Sequence, residues 1–433
     1  MRVVLLSAEY PPMEGGVGDY TRRLALALRG EGLEVVILTS AGVGGLPEDD
    51  LEVYPGVRDW GWGCLPALVR FLRWSRPEVM HLQYQTGAYR MHPAIHFLPE
   101  ALHRLPAPPA LVVTMHDLRL PYLFPKAGPL RPWVVLHLLR RAAAVVVTNG
   151  ADRGRLRGAG RPARDLLEAL PPGKLSTPLA LIPLGSSLPT ELPGYDRASW
   201  RARLGLRSGE ALLGYFGLLH PTKGADLLVE ALAGLRRAGR PARLLIVGGG
   251  SGSTDPGNVP FARALREHIA SEGLEEAVLW SGPCPAEEAA ALLRACDLVV
   301  LPYRDGASFR RSSLVAALSL GCPVLTTHPQ DPAEVALEEG RPALRDGENV
   351  ALVPPGDGAA LASAIAALLD APERLRRLGE EAGRLGRAFR WEEVGRKTHA
   401  LYEALLSQAG QEEGRPRRTS RSSRRSRRSR SHR

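Results

Sequence analysis

Four short stretches place chemically capable residues where an apolar run gives way to polar sequence. "VVTMHDLRLP" sets His116 and Asp117 directly after such a run. "LLGYFGLLHPTKGADLLVEAL" ends a run at Gly217 and places Lys223 just ahead of a helical pattern. "LPYRDGASFRRSSLVAALSLGCPVLTT" carries Asp305, Arg310, Arg311 and Ser312 between a strand-like end and an apolar helix. "PPMEGGVGDYTRRLALAL" carries Gly15, Gly16 and Gly18.

The chemistry these residues suit is anion binding. Glycines let backbone approach a ligand, and the free N–H groups at a helix start favour negative charge. A cation beside a helix N-terminus opposes the dipole unless an anion sits between them, which makes Lys223 an odd choice for stability alone. Arg310 and Arg311 pose the same question, and Ser312 or Ser313 is the natural N-cap there. A polar pair such as His116–Asp117 at a strand's C-terminal end is a site candidate in α/β proteins. Each motif also has a plain reading: a simple turn, a solvated lysine, a solvated arginine pair, or a histidine bonded to backbone beside a capping aspartate.

The elements that must position them form two series. "RVVLLSA", "EVVILTS", "VMHLQY", "ALVVTMH", "AAVVVTN" and "LALIPLG" are short apolar runs separated by helical patterns, and "ALLGYFG", "ARLLIVGGG", "AVLWSG", "LVVLP" and "PVLTT" repeat the design. Continuous apolar runs alternating with helices imply parallel sheets covered on both faces. The stretch 185–206 is rich in Pro, Gly and Ser and predicts a linker without a strand. The expected fold class is therefore α/β, with two doubly wound Rossmann-like domains facing a cleft. The expected spans are 1–190, 191–388, a closing helix at 389–410 and a disordered Arg/Ser-rich tail at 411–433.

Composition narrows the class. The chain has 433 residues and a formal charge of +10, of which ten arginines and two glutamates in 411–433 supply +8. The folded body is thus nearly neutral. The tail could hold phosphate polymers non-specifically or anionic lipid, at about 1 kcal/mol per basic residue near a surface, but a passive tail explains it as well. Specific nucleic-acid binding is not expected. Cys64, Cys284, Cys296 and Cys322 are far apart and suggest neither a zinc site nor a disulfide framework. The opening "MRVVLLSAEYPP" is too short for a signal peptide, and no stretch approaches ~20 uncharged apolar residues. A cytoplasmic protein is expected. "CLPALVRFLRWSRP" and "RPWVVLHLLRRAAA" read as core-facing helices with a solvated edge, or alternatively as basic helices resting on a membrane.

The ordered set of motifs resembles a GT-B glycosyltransferase of the retaining family 4 kind, over residues 1 to about 408. The resemblance is carried by the Gly15–Gly16 turn, "VVTMHD", "LIPLGSS", "FGLLHPTKGADLLVEAL", "LLIVGGGSG", "ACDLVVLPY", "AALSLGCPVLTT", "LRDGENVALVPPGDGAALASAIAALL" and "FRWEEVGRKTHALYEALL". It implies a nucleotide-sugar donor held mainly by the second domain and a sugar, lipid-linked or small-molecule acceptor on the first. It further implies no metal or other cofactor, because cations and helix dipoles neutralise the leaving diphosphate. In that scheme His116 meets the transferred sugar and Lys223 clamps the diphosphate. Gly15, Gly16, Gly217, Asp305, Arg310, Arg311 and Ser312 bind the donor, and Asp117 and Gly18 lie on the acceptor side.

Two positions depart from the family pattern. The arginine expected after Gly217 is Leu218, and the second of two characteristic glutamates falls at Ala316, with the first at Ser308 or Asp305. We therefore expect Arg310 and Arg311 to replace the missing cation and to share the donor phosphates with Lys223, with no acid nearby to neutralise them. The same losses leave open a non-catalytic GT-B binding or scaffold protein. A sugar-nucleotide epimerase shares the fold and is a third reading.

Overall fold

The computed structural model describes residues 1–13, 15–43, 49–118, 120, 130–158, 175–249, 258–338 and 341–413. Seven parallel strands form the first sheet: β1 (Arg2–Leu6), β2 (Glu34–Ser40), β3 (Glu52–Val57), β4 (Val79–Tyr84), β5 (Ala110–Met115), β6 (Ala144–Val147) and β7 (Leu179–Leu181). Their order is β3-β2-β1-β4-β5-β6-β7. The second sheet is built from β8 (Ala211–Gly217), β9 (Ala242–Gly248), β10 (Val278–Gly282), β11 (Leu298–Leu301) and β12 (Val324–Thr327). A small antiparallel pair follows, β13 (Ala336–Glu338) with β14 (Arg341–Pro342), and β15 (Ala351–Val353) closes the edge. The order is β10-β9-β8-β11-β12-β15, again parallel throughout. In both sheets the strand order reverses beside the first strand of the unit, and ligands of doubly wound sheets sit at such switch points. The two-domain α/β expectation holds.

Most strands identified by the sequence pattern are buried along their length, although β7 is only half-buried. The pattern missed the short β13, β14 and β15, and also β3, an edge strand with Tyr54 and Pro55 exposed and a Pro-Gly pair inside it. An edge strand tolerates a missing N–H and need not be continuously apolar. The linker contains no strand between Leu181 and Ala211, but it includes the helix Arg197–Arg203. Asp196 caps that helix by accepting from the Ser199 N–H at 2.8 Å. The first helix, Gly16–Gly30, starts inside the glycine turn itself.

Both basic amphipathic stretches are helices, Cys64–Ser75 and Leu130–Arg141, and each buries an apolar face: Leu68, Phe71 and Leu72 in one, Val134, Val135 and Leu138 in the other. Among the described residues, no helix is long and apolar enough to cross a membrane. The tail expectation lies outside the described residues from 414 onward.

The closing helix Trp391–Glu413 returns to the first sheet. Val394 and Tyr402 are fully buried in the same core as Val3, Leu5 and Leu24. Gly395 packs on Ala27 of the first helix, where an added Cβ would stand 2.9 Å from the Ala27 side chain. The Tyr402 hydroxyl lies 2.5 Å from His81 Nδ1, and the Thr114 hydroxyl lies 2.6 Å from His81 Nε2. Burial pushes this imidazole down to about 3. His96 and His116 are likewise pushed down, each to about 4, mainly by burial. Below their ordinary value of 6.5 the unfolded chain binds protons that the native state refuses. Stability is therefore full above that value and declines as pH falls through it. Urea melts should show a lower midpoint at pH ~5 than at pH ~7. A flat profile over that window would mean that these rings take up protons in the native state.

Candidate active site

A cavity of about 440 Å³ lies between the domains. The first domain lines it with Gly16, Asp19, Tyr20, Arg23, Gln85 and His116. The second contributes Phe309, Ser312 and Val315, and the crossing segments add Gly185 and Trp391. On the first-domain side, Gly15 is extended (φ 177°) and the helix starts at Gly16. An added Cβ at Gly16 would meet nothing within 4 Å, so its backbone faces open cavity. At Gly15 the same addition would fall 2.4 Å from Glu9 Oε2. Gly18 differs from its expected acceptor-side place. It packs on the backbone of Tyr10, where a Cβ would sit 3.1 Å from Cα, and it is not a lining residue.

His116 leaves the end of β5 and enters the cavity edge-on to Tyr20, with ring centroids 4.8 Å apart. Its Nε2 lies 3.1 Å from Gln83 Oε1, the geometry of a neutral ring donating to an amide oxygen. Burial keeps it neutral at ordinary pH. Asp117 is half-buried beside it but does not line the cavity, and its charge helps to raise the buried Tyr84 phenol.

On the second-domain side, two glycines fix Lys223. Gly224 takes φ +67°, and a Cβ there would lie 2.1 Å from the Pro302 carbonyl oxygen, so only glycine lets the turn touch the end of β11. Gly217 takes φ +123°, and a Cβ there would lie 3.1 Å from Lys223 Nζ and 3.8 Å from Ser313 Cβ. Lys223 thus stands at the start of the helix Ser312–Ser319, whose first residue lines the cavity. Burial, and then the charge of Arg311, depress its ammonium. No carboxylate of the described residues lies within ion-pair reach of it. That helix carries no side-chain cap: Arg311 occupies the N-cap position, not Ser312 or Ser313 as expected.

The arginine pair divides. Arg311 stays beside Lys223, lies over the Tyr303 ring at 5.1 Å and pairs with Asp305. Arg310 departs from the expected phosphate contact and forms an ion pair across the domain interface with buried Asp152. Asp152 also accepts from Asn149 Nδ2 at 2.8 Å. The expectation that no acid neutralises the arginines is corrected on both counts. Asp305 comes from the same loop and Asp152 from the other domain. Ala316, the second glutamate position, and Ser308, one of the two candidates for the first, are both buried, while the other candidate, Asp305, pairs with Arg311, and Leu218 is 48% exposed.

Residues 210–371 match the family model described as glycosyl transferases group 1, and residues 15–173 match that of a glycosyl transferase 4-like domain. A D-inositol 3-phosphate glycosyltransferase of Nocardia farcinica is 30% identical over 431 residues, which cover 94% of this chain and 90% of that protein. The chain belongs to the GT-B glycosyltransferases of the family 4 type. The Streptomyces scabiei protein of the same description is 28% identical, with 94% of this chain and 91% of that protein covered. Among solved structures, sucrose-phosphate synthase from Thermosynechococcus elongatus superposes with a TM-score of 0.64 at 22% identity, over 94% of this chain and 99% of that one. Anabaena HepE in complex with UDP gives 0.68 at 19% identity, over 93% and 100%.

Several residues in and behind this glycosyltransferase cavity carried no prediction. Gln85, which lines it, and Gln83, buried behind His116, follow the same signal that found His116, polar residues at a strand's C-terminal end in "HLQYQ". Gln83 Nε2 is buried and bonded to no protein group. Tyr20 and Arg23 stand one helical turn apart behind the glycine turn. Trp391 had no local signal. Its indole N–H donates to the Ser186 carbonyl at 2.8 Å, and its ring packs where a side chain at Gly185 would be, 2.3 Å from a built Cβ.

Proposed function

We propose that the enzyme transfers a sugar from a nucleotide-sugar donor to a hydroxyl of a small polyol acceptor, with retention of configuration and without a metal ion. The observation that carries this reading is Lys223, a largely buried cation with no acidic partner among the described residues, which stands beside Arg311 behind the cavity lining, next to a helix whose first residue, Ser312, lines the cavity. Asp305 already offsets the charge of Arg311, so Lys223 is the cation left without an acid, and a leaving diphosphate is an anion that would pair with it. Opposite them, Asp19, Arg23 and Gln85 offer hydrogen bonds to acceptor hydroxyls. The description of the Nocardia farcinica relative supports a phosphorylated cyclitol as that acceptor.

In this mechanism the anomeric carbon–oxygen bond to the diphosphate breaks as the bond to the acceptor oxygen forms on the same face. The acceptor proton passes to the departing diphosphate oxygen. Lys223, Arg311 and the helix N-terminus stabilise the charge that develops there. Neutral His116 donates from Nε2 to Gln83, which leaves Nδ1 to accept from a hydroxyl of the transferred sugar.

Purified protein should be incubated with UDP-, GDP- or ADP-sugars and an inositol phosphate, with and without EDTA, and the product followed by proton NMR. An α-linked product from an α-configured donor, formed equally in EDTA, is expected. Inverted product removes the retention claim, and loss of activity in EDTA removes metal independence. Tight donor binding with no transfer to any acceptor would favour the scaffold reading.

A further inference from the structure

The chain crosses between domains twice, at 184–190 and at 386–391. The crossings lie side by side: the Ser186 N–H donates to the Phe389 carbonyl at 2.8 Å. Two cavities of about 640 and 630 Å³ flank them and share Thr190, Arg387 and Arg390. The first is strongly basic. It is lined by Arg294, Arg376, Arg384, Arg387 and Arg390 against one carboxylate, Glu380. That carboxylate is already paired with Arg376, and Arg384 is paired with Glu381. Arg294 lies over the Tyr195 ring at 4.7 Å. Arg387 and Arg390 have no ion-pair partner among the described residues. The second cavity sets Glu31, Glu191, Glu392 and Glu393 against Arg23, Arg396 and the shared arginines, so the excess of positive charge, and the place for an anion, is in the first.

Arg384 lies in the last turn of the helix Pro372–Gly386, Arg387 opens the 3₁₀ turn Arg387–Phe389, and Arg390 follows it in extended backbone. All three are exposed and line the same cavity, where like charges repel. An arrangement of this kind is comfortable when a multiply charged anion joins the guanidinium groups, whose planar forks match phosphate oxygens.

We propose that this basic cavity is a second anion site, distinct from the donor site, which takes a small ligand carrying two or more phosphates. Its ligand touches Arg294 and Gly321 of the second domain together with Thr190, Arg387 and Arg390 of the crossings. Occupancy therefore restrains the hinge and changes the rate of transfer without entering the sugar cavity.

Hydrogen exchange on the full chain, with inorganic tripolyphosphate as probe, tests this. Protection is expected at 184–191 and 384–391, in the wild type and equally in Lys223→Ala. Arg387→Ala combined with Arg390→Ala should abolish that protection and weaken the site's apparent affinity at least ~10-fold, the scale of losing charge-assisted bonds. The doubly substituted Arg387→Lys, Arg390→Lys protein keeps the charge without the fork and should retain part of the protection, which guards against a folding defect. The Arg/Ser tail is the same in every variant, so any probe it takes up cancels in the comparison. Protection confined to 217–224 and 305–315 marks the donor site alone and overturns the proposal. So does crossing protection that persists after both alanine substitutions.

Discussion

Lys223→Ala lowers kcat/KM by about 10²-fold or more while the protein melts no lower than wild type, since removing one group that stabilises developing charge costs on that scale. The stability half follows from the site. The ammonium is depressed by burial and by Arg311, so its charged form is disfavoured in the folded state, and its deletion breaks no ion pair among the described residues. The catalytic half follows from position, beside Gly217 and Ser313 at the start of the cavity-lining helix. A thermal melt and a donor titration on one preparation separate the two. Near-normal turnover would remove Lys223 from the reaction, and a large drop in melting temperature would make it a structural lysine. Leu218→Arg on the alanine background should recover part of the rate, because it returns a cation beside Gly217.

Asp152→Asn lowers kcat by about 10-fold or more, although Asp152 does not line the sugar cavity. Small misplacements of a reacting geometry cost rates of that order. Asp152 is buried in the first domain and holds Arg310 of the second. Arg310 in turn belongs to the loop that presents Asp305, Arg311 and Ser312, so the pair sets where the donor cations stand relative to His116. Gly150, two residues earlier, meets the other domain closely: a Cβ there would lie 2.6 Å from the Ala333 carbonyl oxygen. Arg310→Ala should match Asp152→Asn, and the double variant should be no worse than either, the signature of two groups acting as one. Reversing the charges, Asp152→Arg with Arg310→Asp, should restore part of the rate. The outcome against this role is an Asp152→Asn enzyme with normal kcat beside a defective Arg310→Ala enzyme. That result would place Arg310 on the donor after all.

The two parallel sheets are legible in the apolar runs, because strands buried on both faces must be continuously apolar and the helices between them must be amphipathic. Local order was also enough to set His116, Lys223, Gly16 and Gly217 at strand ends or helix starts. Tertiary structure decided what these residues face. Arg310 and Arg311 are adjacent and chemically identical, yet one reaches Asp152 in the other domain and the other lies over Tyr303 beside Lys223. Asp305 in the same loop takes Arg311, but the partner that draws Arg310 away is 158 residues distant. Trp391 and Gly185 meet for the same reason, through a helix that crosses back to the first domain. A side chain's neighbours along the chain are written in the sequence. Its neighbours across a domain interface are fixed only when both cores have packed.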